Sequence, residues 1–314
     1  VRVAVTGATG FLGLHLVAAL VDAGHRVTAL VRDPKRLGAL EPLVTAQEIA
    51  LDDHAALVAT LADHDALVHA ALLWDEQVPP NTAPPAKPEL AARDTAVAGT
   101  LFDAAGAAGV KRVVYLSSVA VHRPFRAVEA GEITEKEPLA PSDLYGATKA
   151  AAELFLAAAA ASFGFVGTAL RLGPVVGPPA FPALPSARHR SDARISAWVR
   201  DSSEGRPSAE VPSGGRQFLG TSALRRIVLA ALTATDDATA ASRTDAWAGP
   251  VLCVDREVTQ WAEIATLCGV GSAIERRSPG EDYRFSTQRL EALLGGPLAS
   301  REDLLRHLET LRRS

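Results

Sequence analysis

The stretch Val1-Arg2-Val3-Ala4-Val5-Thr6-Gly7-Ala8-Thr9-Gly10-Phe11-Leu12-Gly13 decides the reading of this chain. A short β-branched run, Arg2–Thr6, predicts a strand, and it enters a glycine-x-x-glycine-x-x-glycine turn that opens a helix predicted over Phe11–Ala23. In that setting each glycine has a physical task. Gly7 permits the tight turn, Gly10 lacks the side chain that would keep a pyrophosphate from the backbone, and Gly13 lets helix pack closely on strand. The helix N-terminus, with Thr9, Phe11, Leu12 and Gly13 around it, then offers free N–H groups and a partial positive charge to phosphates. A tight turn with no ligand is the alternative, and the direct passage from strand to helix argues against it.

Outward from this turn, short apolar runs alternate with alanine- and leucine-rich stretches. Strands are predicted at Arg26–Val31, Thr45–Ala50, Ala66–Ala70, Arg112–Leu116 and Phe165–Leu170, and helices at Asp53–Leu61, Glu89–Ala108 and Asp143–Ser162. This is the βαβ rhythm of an α/β fold, and the nearly continuous apolar strands require cover on both faces. The expected architecture is a Rossmann-type doubly wound parallel sheet over residues 1–173. Prolines and glycines between Gly173 and Pro207 then break the rhythm. Residues 174–314 are expected to form mainly a smaller substrate-binding region, with some segments able to return to the first domain. Helices are predicted there at Ile195–Arg200, Thr221–Leu232, Thr259–Leu267, Thr287–Leu294 and Arg301–Arg312, with a strand at Val251–Val254. The proline-rich run Val78–Pro85 follows the fourth strand, where it either lines the substrate pocket or serves as a surface linker.

Composition narrows the class. At 314 residues, 48% of them hydrophobic and 22% charged, the chain can bury a large core. Its 32 Lys and Arg against 36 Asp and Glu leave a net charge of −4 without a basic stripe, which disfavours nucleic acid as a partner. Cys253 and Cys268 have no neighbouring Cys or His at metal-ligand spacing, so no metal site is expected. The first strand begins at once, with no charged leader or apolar h-region before it, and no apolar run is long enough to span a bilayer. The expectation is a cytoplasmic protein without a membrane partner.

The motif TGATGFLG at 6–13 resembles that of the extended short-chain dehydrogenase/reductase superfamily, the NAD-dependent epimerase/dehydratase type. The likeness continues through Asp65–Ala71, Val110–Ser118, Tyr145-Gly146-Ala147-Thr148-Lys149 and Arg171–Pro178, in the family's order, and covers about the first 180 residues. It implies a dinucleotide cofactor, contacted also by Leu51, Ala70, Ala71 and Leu172. An acid at the end of the second strand would bond the adenosine ribose. Here Val31 is followed by Arg32, with Lys35 and Arg36 nearby, so fixed positive charge awaits a 2′-phosphate and NADP(H) is favoured over NAD(H). Were Asp33 to take the ribose instead, NAD(H) would be the cofactor. The family's acid before Leu51 is replaced by Ala50, which leaves adenine to Asp52 or to water.

Tyr145 and Lys149 lie four apart on a helical segment and share one face. Hydride transfer to a carbonyl leaves an alkoxide that needs a proton, and a phenol titrating near 10 must be pulled down by an adjacent ammonium to serve as acid or base at neutral pH. The resemblance gives Tyr145 that role, gives Lys149 the nicotinamide ribose, and makes Ser118 the group that orients the substrate oxygen. The alternative of a capping hydroxyl at the strand end suits Ser117 better. Ala96 replaces an Asn common in the family, and His122 with Arg123 replaces Tyr-Gly, which makes His122 a candidate substrate contact. Arg216 matches a position that binds the diphosphate of nucleotide sugars.

Dehydratases of the family carry Asp-Glu after the catalytic hydroxyl, where this chain has Val119-Ala120, so dehydration is disfavoured. The preferred expectation is a reductase of a ketone or aldehyde using NADPH, with a sugar epimerase as the alternative and a non-catalytic NADP sensor as a third. The alanine-rich helices at 89–108 and 143–162 are expected to pair two copies of the chain into a homodimer.

Overall fold

The computed structural model describes residues 1–73, 87–122, 132–181, 193–206, 208–233, 246–276 and 284–313. The run 78–85, Arg123 and Pro207 fall outside them. In chain order the elements are β1 (Arg2–Thr6), α1 (Phe11–Asp22), β2 (Arg26–Val31), β3 (Thr45–Glu48), α2 (His54–Leu61), β4 (Ala66–His69), α3 (Pro88–Ala107), β5 (Arg112–Ser118), α4 (Leu144–Phe163) and β6 (Val166–Leu172). There follow β7 (Val175–Val176), α5 (Ala193–Ser203), β8 (Ser208–Pro212), β9 (Gly215–Arg216), β10 (Leu219–Gly220), α6 (Thr221–Thr233), β11 (Gly249–Cys253), β12 (Thr259–Gln260), α7 (Trp261–Leu267), β13 (Ser272–Arg276), α8 (Gln288–Leu294) and α9 (Arg301–Arg313).

Seven strands form one sheet in the order β3-β2-β1-β4-β5-β6-β11, all parallel. The order reverses between β1 and β4, which opens a crevice beyond their carboxyl ends. Alternation along the strands builds two cores. Val3, Val5, Val114 and Leu116 face a layer made by α1 and α6. Ala4, Leu67, Val113 and Tyr115 face α2, α3 and α4. The doubly wound sheet expected from the sequence is therefore present. Strand β5 runs two residues further than its apolar run, through Ser117 and Ser118, because neighbouring β6 pairs with it as far as Leu172.

The later part of the chain is divided between two places. β11 extends the main sheet beside β6, with Cys253 opposite Leu172, and α6 packs with α1. The remainder gathers around Trp198, Phe218 and Trp261 in a separate core with α5, α7 and α9. Besides the one strand expected there, short pairs β7 with β10, β9 with β12 and β8 with β13 hold this part together. The two-residue strands β7, β9, β10 and β12 have no periodicity to read, so they are invisible in sequence.

α3 and α4 pack closely because glycines on α3 receive aromatic rings from α4. A Cβ on Gly106 would lie 2.2 Å from the Phe163 ring, and one on Gly99 would touch Phe155 at 3.5 Å. α4 begins at Asp143, whose carboxylate accepts from the Gly146 N–H at 2.7 Å, and ends at Gly164 in the left-handed region. No described helix is long and apolar enough to cross a membrane.

Candidate functional site

At the carboxyl end of β1 the turn is built as the glycine spacing requires. Gly7 has φ +66°, and a Cβ there would lie 2.5 Å from the Ala71 nitrogen, so the turn backs directly onto the segment that leaves β4. A Cβ on Gly13 would stand 2.0 Å from the Gly7 carbonyl oxygen. Its close approach is thus to the turn itself, a tighter constraint than the strand contact expected. No side chain caps α1 at Gly10, and the helix's first backbone bond runs from Leu14 N to Gly10 O. An uncapped helix N-terminus behind a glycine cradle fits the phosphates of a dinucleotide. Leu12 packs on the core and Phe11 sits edge-on to His15, while Thr9 lies half-buried in the turn.

Thr6 links this turn to the next strand. Its Oγ1 accepts from Ala71 N at 3.3 Å and is hydrogen-bonded to His69 Nδ1 at 2.7 Å. Burial and the charge of Lys149 hold His69 down at about 3, so the ring is neutral. Ala70 and Ala71 remain half-buried at the crevice.

Arg32 is exposed and has no hydrogen-bond or ion-pair partner among the described residues, and exposed Lys35 and half-buried Arg36 stand near it in sequence. Asp33 is occupied: its carboxylate caps the following 3-10 turn by accepting from Lys35 N at 3.1 Å. At the end of β3, Asp52 pairs with Arg93 at 3.4 Å and Asp53 caps α2. Leu51 packs partly buried on the core, and Leu172 lies within it, so what Leu172 can offer a cofactor is its backbone.

The second half of the site lies at the end of β5. Ser118 accepts from Ala120 N at 3.2 Å and begins the 3-10 turn Val119–Val121. Gly146 lets that turn dock on α4, since a Cβ there would lie 2.2 Å from the Ala120 carbonyl oxygen. Sequence reasoning gave Gly146 no task, although it brings Ser118 and Tyr145 together. Lys149 is buried one turn further along α4, where Nζ donates to the Leu116 carbonyl at 2.9 Å and lies over the Tyr115 ring at 4.8 Å.

Three expectations need correction. Burial raises the Tyr145 phenol, with the Ser118 side chain pulling it back down, whereas a lowered value was expected. The reason is that Lys149 Nζ is directed at Leu116 and stands 5.9 Å from the Tyr145 ring centre. The capping hydroxyl at the strand end is Ser118; Ser117 instead donates to Glu153 at 2.5 Å. His122 is not a pocket-wall group: it is 2% exposed, its Nε2 accepts from Arg171 at 2.9 Å, and its ring packs near Phe285. Burial and the Arg171 charge take it down to about 4.

Arg216 lies on β9, half-buried, with its guanidinium 5.7 Å from the Trp261 ring centre; Arg194 approaches the same ring at 3.9 Å. No group of three or more His, Cys, Asp or Glu among the described residues could hold a metal.

Residues 3–242 match the model of the NAD dependent epimerase/dehydratase family. The chain belongs to that family. Among curated members, UDP-glucose 4-epimerase of Azospirillum brasilense is 33% identical over 181 residues, 56% of this chain and 49% of its own. A 3-diazoavenalumate denitrifying reductase of a Streptomyces species is 38% identical over 188 residues, 56% and 57% of the two chains. This epimerase/dehydratase-family chain thus spans about half the length of the curated relatives it matches. Among solved structures, MoeE5 in complex with UDP-glucose and NAD superposes at a TM-score of 0.73 with 25% identity, covering 100% of this chain and 99% of its own. UDP-glucuronic acid 4-epimerase of Bacillus cereus, at TM-score 0.75 and 18% identity, shares the fold.

Proposed function

We propose that the protein is an NADPH-dependent reductase of a ketone or aldehyde, working through Ser118, Tyr145 and Lys149. The observation that carries the reading is that Gly146 docks the turn begun by Ser118 onto α4 next to Tyr145, with Lys149 buried one turn further along, at the carboxyl end of the same parallel sheet that holds the glycine turn. A bound nicotinamide supplies the hydride. Ser118 would donate to the carbonyl oxygen as negative charge gathers on it, and Tyr145 would hand its proton to the resulting alkoxide. Lys149 would hold the ribose and supply positive charge below the phenol.

Arg32 supports the phosphorylated cofactor. It stands exposed, without a partner among the described residues, whereas the competing acid Asp33 is tied into the turn. For a doubly charged phosphate such a guanidinium is a bidentate donor that needs no rearrangement.

An epimerase is the second reading, and Arg216 beside Trp261 favours it, because a guanidinium suits the diphosphate of a nucleotide sugar. The partner expected besides substrate is a second copy of the chain, meeting along α4. The only charged residues in Leu144–Phe163 are Lys149 and Glu153, both buried, so the exposed side carries Leu144, Leu154 and Phe155 with no charge among them.

A panel of ketones, aldehydes and nucleotide sugars with NADPH tests the assignment. Tyr145→Phe should reduce turnover roughly 100- to 10,000-fold with little change in cofactor affinity. Wild-type turnover in that variant would end the proposal. Mass spectrometry after gentle denaturation separates the two readings, since tightly retained NAD supports the epimerase and exchangeable NADPH the reductase.

A further inference from the structure

Ser118 closes β5 and opens the tight turn Val119–Val121. Hydrogen bonds shape that turn at both ends. The Ser118 hydroxyl accepts from Ala120 N at 3.2 Å, and the His122 N–H donates to the Val119 carbonyl at 3.0 Å. The His122 side chain then leads back to the neighbouring strand, where its Nε2 lies 2.9 Å from Arg171 Nη1. Arg171 stands opposite Ser117 in the register of β5 and β6, next to the pairing of Ser118 with Leu172. The chain thus leaves the sheet at Ser118 and is tied back to it at His122, beside the point of departure.

We infer that His122 is a positioning residue for Ser118: it fixes the far end of the turn whose near end carries the hydroxyl. The inference rests on the role given to Ser118 above. A guanidinium only donates, so Nε2 accepts and the proton of the neutral ring sits on Nδ1. His122 is 2% exposed and Arg171 3%, which keeps water from competing for the bond. Arg171 is itself anchored. Its Nη2 pairs with Glu153 at 2.8 Å, and its Nη1 also reaches the Glu135 carbonyl at 3.3 Å. The middle of the turn is held by backbone, with the Val121 carbonyl accepting from Ala140 N at 2.9 Å and Ala120 lying against Gly146. The Ser118 oxygen, already accepting from Ala120, keeps its hydrogen to give to a substrate oxygen, and the shape of the turn decides where that hydrogen is offered.

The chain has 8 histidines, and His122→Gln identifies the His122 ring among them in a nitrogen NMR spectrum of the intact protein. At neutral pH the wild-type ring should carry its proton on Nδ1 and leave Nε2 bare; the opposite tautomer overturns the inference. His122→Phe keeps a ring beside Phe285 and removes the acceptor. In that variant hydrogen exchange at the Ala120 amide should quicken roughly tenfold or more, while the amides of Val114 and Tyr115 inside β5 keep their wild-type rates. His122→Gln, whose side-chain oxygen can accept from Arg171, should restore Ala120. An unmoved Ala120 amide, or equal acceleration throughout β5, overturns the inference, the latter because it marks a general loss of stability. Should His122→Phe not fold, His122→Asn, too short to reach Arg171, is read in the same way. In turnover with NADPH, kcat of His122→Phe should fall roughly 10- to 100-fold with KM and cofactor affinity little changed, and His122→Gln should recover most of it. Wild-type kcat in a His122→Phe variant whose Ala120 exchange has quickened also overturns the inference. The tautomer and exchange readings need no substrate, so they can fail while the Tyr145→Phe result stands, and the reverse.

Discussion

Arg171 and Glu153 meet face to face where β6 underlies α4, with Nε at 3.1 and 3.2 Å from the two carboxylate oxygens and Nη2 at 2.8 Å from Oε2. The pair also holds Ser117 and His122, so it braces the end of β5 from which Ser118 projects. Removing one member of a buried pair strands the other charge and costs about 3–5 kcal/mol, whereas replacing both by apolar groups costs far less. Urea unfolding of Arg171→Met and of the double variant Arg171→Met, Glu153→Leu should show that difference. A single variant losing under about 1 kcal/mol would mean that the bridge is not a structural brace.

Arg32→Ala should weaken NADPH by about 1.5–3 kcal/mol and leave NADH nearly unchanged, since only the former carries a phosphate for the guanidinium to meet. Fluorescence titration of both cofactors measures it. Equal wild-type affinities would remove the argument for NADP(H).

Acid should unfold the protein earlier than its carboxylates alone dictate. His15, His25, His64, His69, His122 and His307 are all held below the ordinary histidine value, burial being the first cause in each. A depressed folded value means that the unfolded chain takes up the proton more readily, so stability is full above about pH 6.5 and drains away as the pH falls. For His69, at about 3, the loss is on the order of 5 kcal/mol once complete. Asp94, raised, acts in the opposite sense. Urea midpoints taken from pH 7.5 to 4.5 should decline, and less steeply in His69→Phe, which keeps a ring against Tyr115. A flat series would contradict this account.

Leu154→Glu should convert a dimer to a monomer in light scattering at micromolar concentration. Leu154 is 64% exposed on the uncharged side of α4, and a carboxylate there would be desolvated against its symmetry mate. A wild-type monomer would dismiss the seam, leaving α3 and α4 only as cover for the sheet.

Residues 1–13 determine by themselves that a strand turns through a phosphate cradle into a helix, because the positive φ of Gly7 and the missing Cβ at Gly13, which faces the Gly7 carbonyl, act within one turn of chain. The alternation of apolar runs likewise determines the parallel sheet, and Tyr145 with Lys149 declares a shared helical face four residues apart. What only the tertiary structure decided is who stands next to whom over long separations. Glu153 finds Arg171, Asp94 finds Leu73, and Gly146 admits Ala120, pairs whose partners no local pattern announces. The same holds for His122, which reads as a pocket residue until Arg171 takes its Nε2, and for the Tyr145 phenol, raised because folding buries it while directing Lys149 to Leu116. Local geometry follows from residue type and spacing, whereas the charge state and orientation of a buried group follow from its neighbours, and those are known only once the chain has folded.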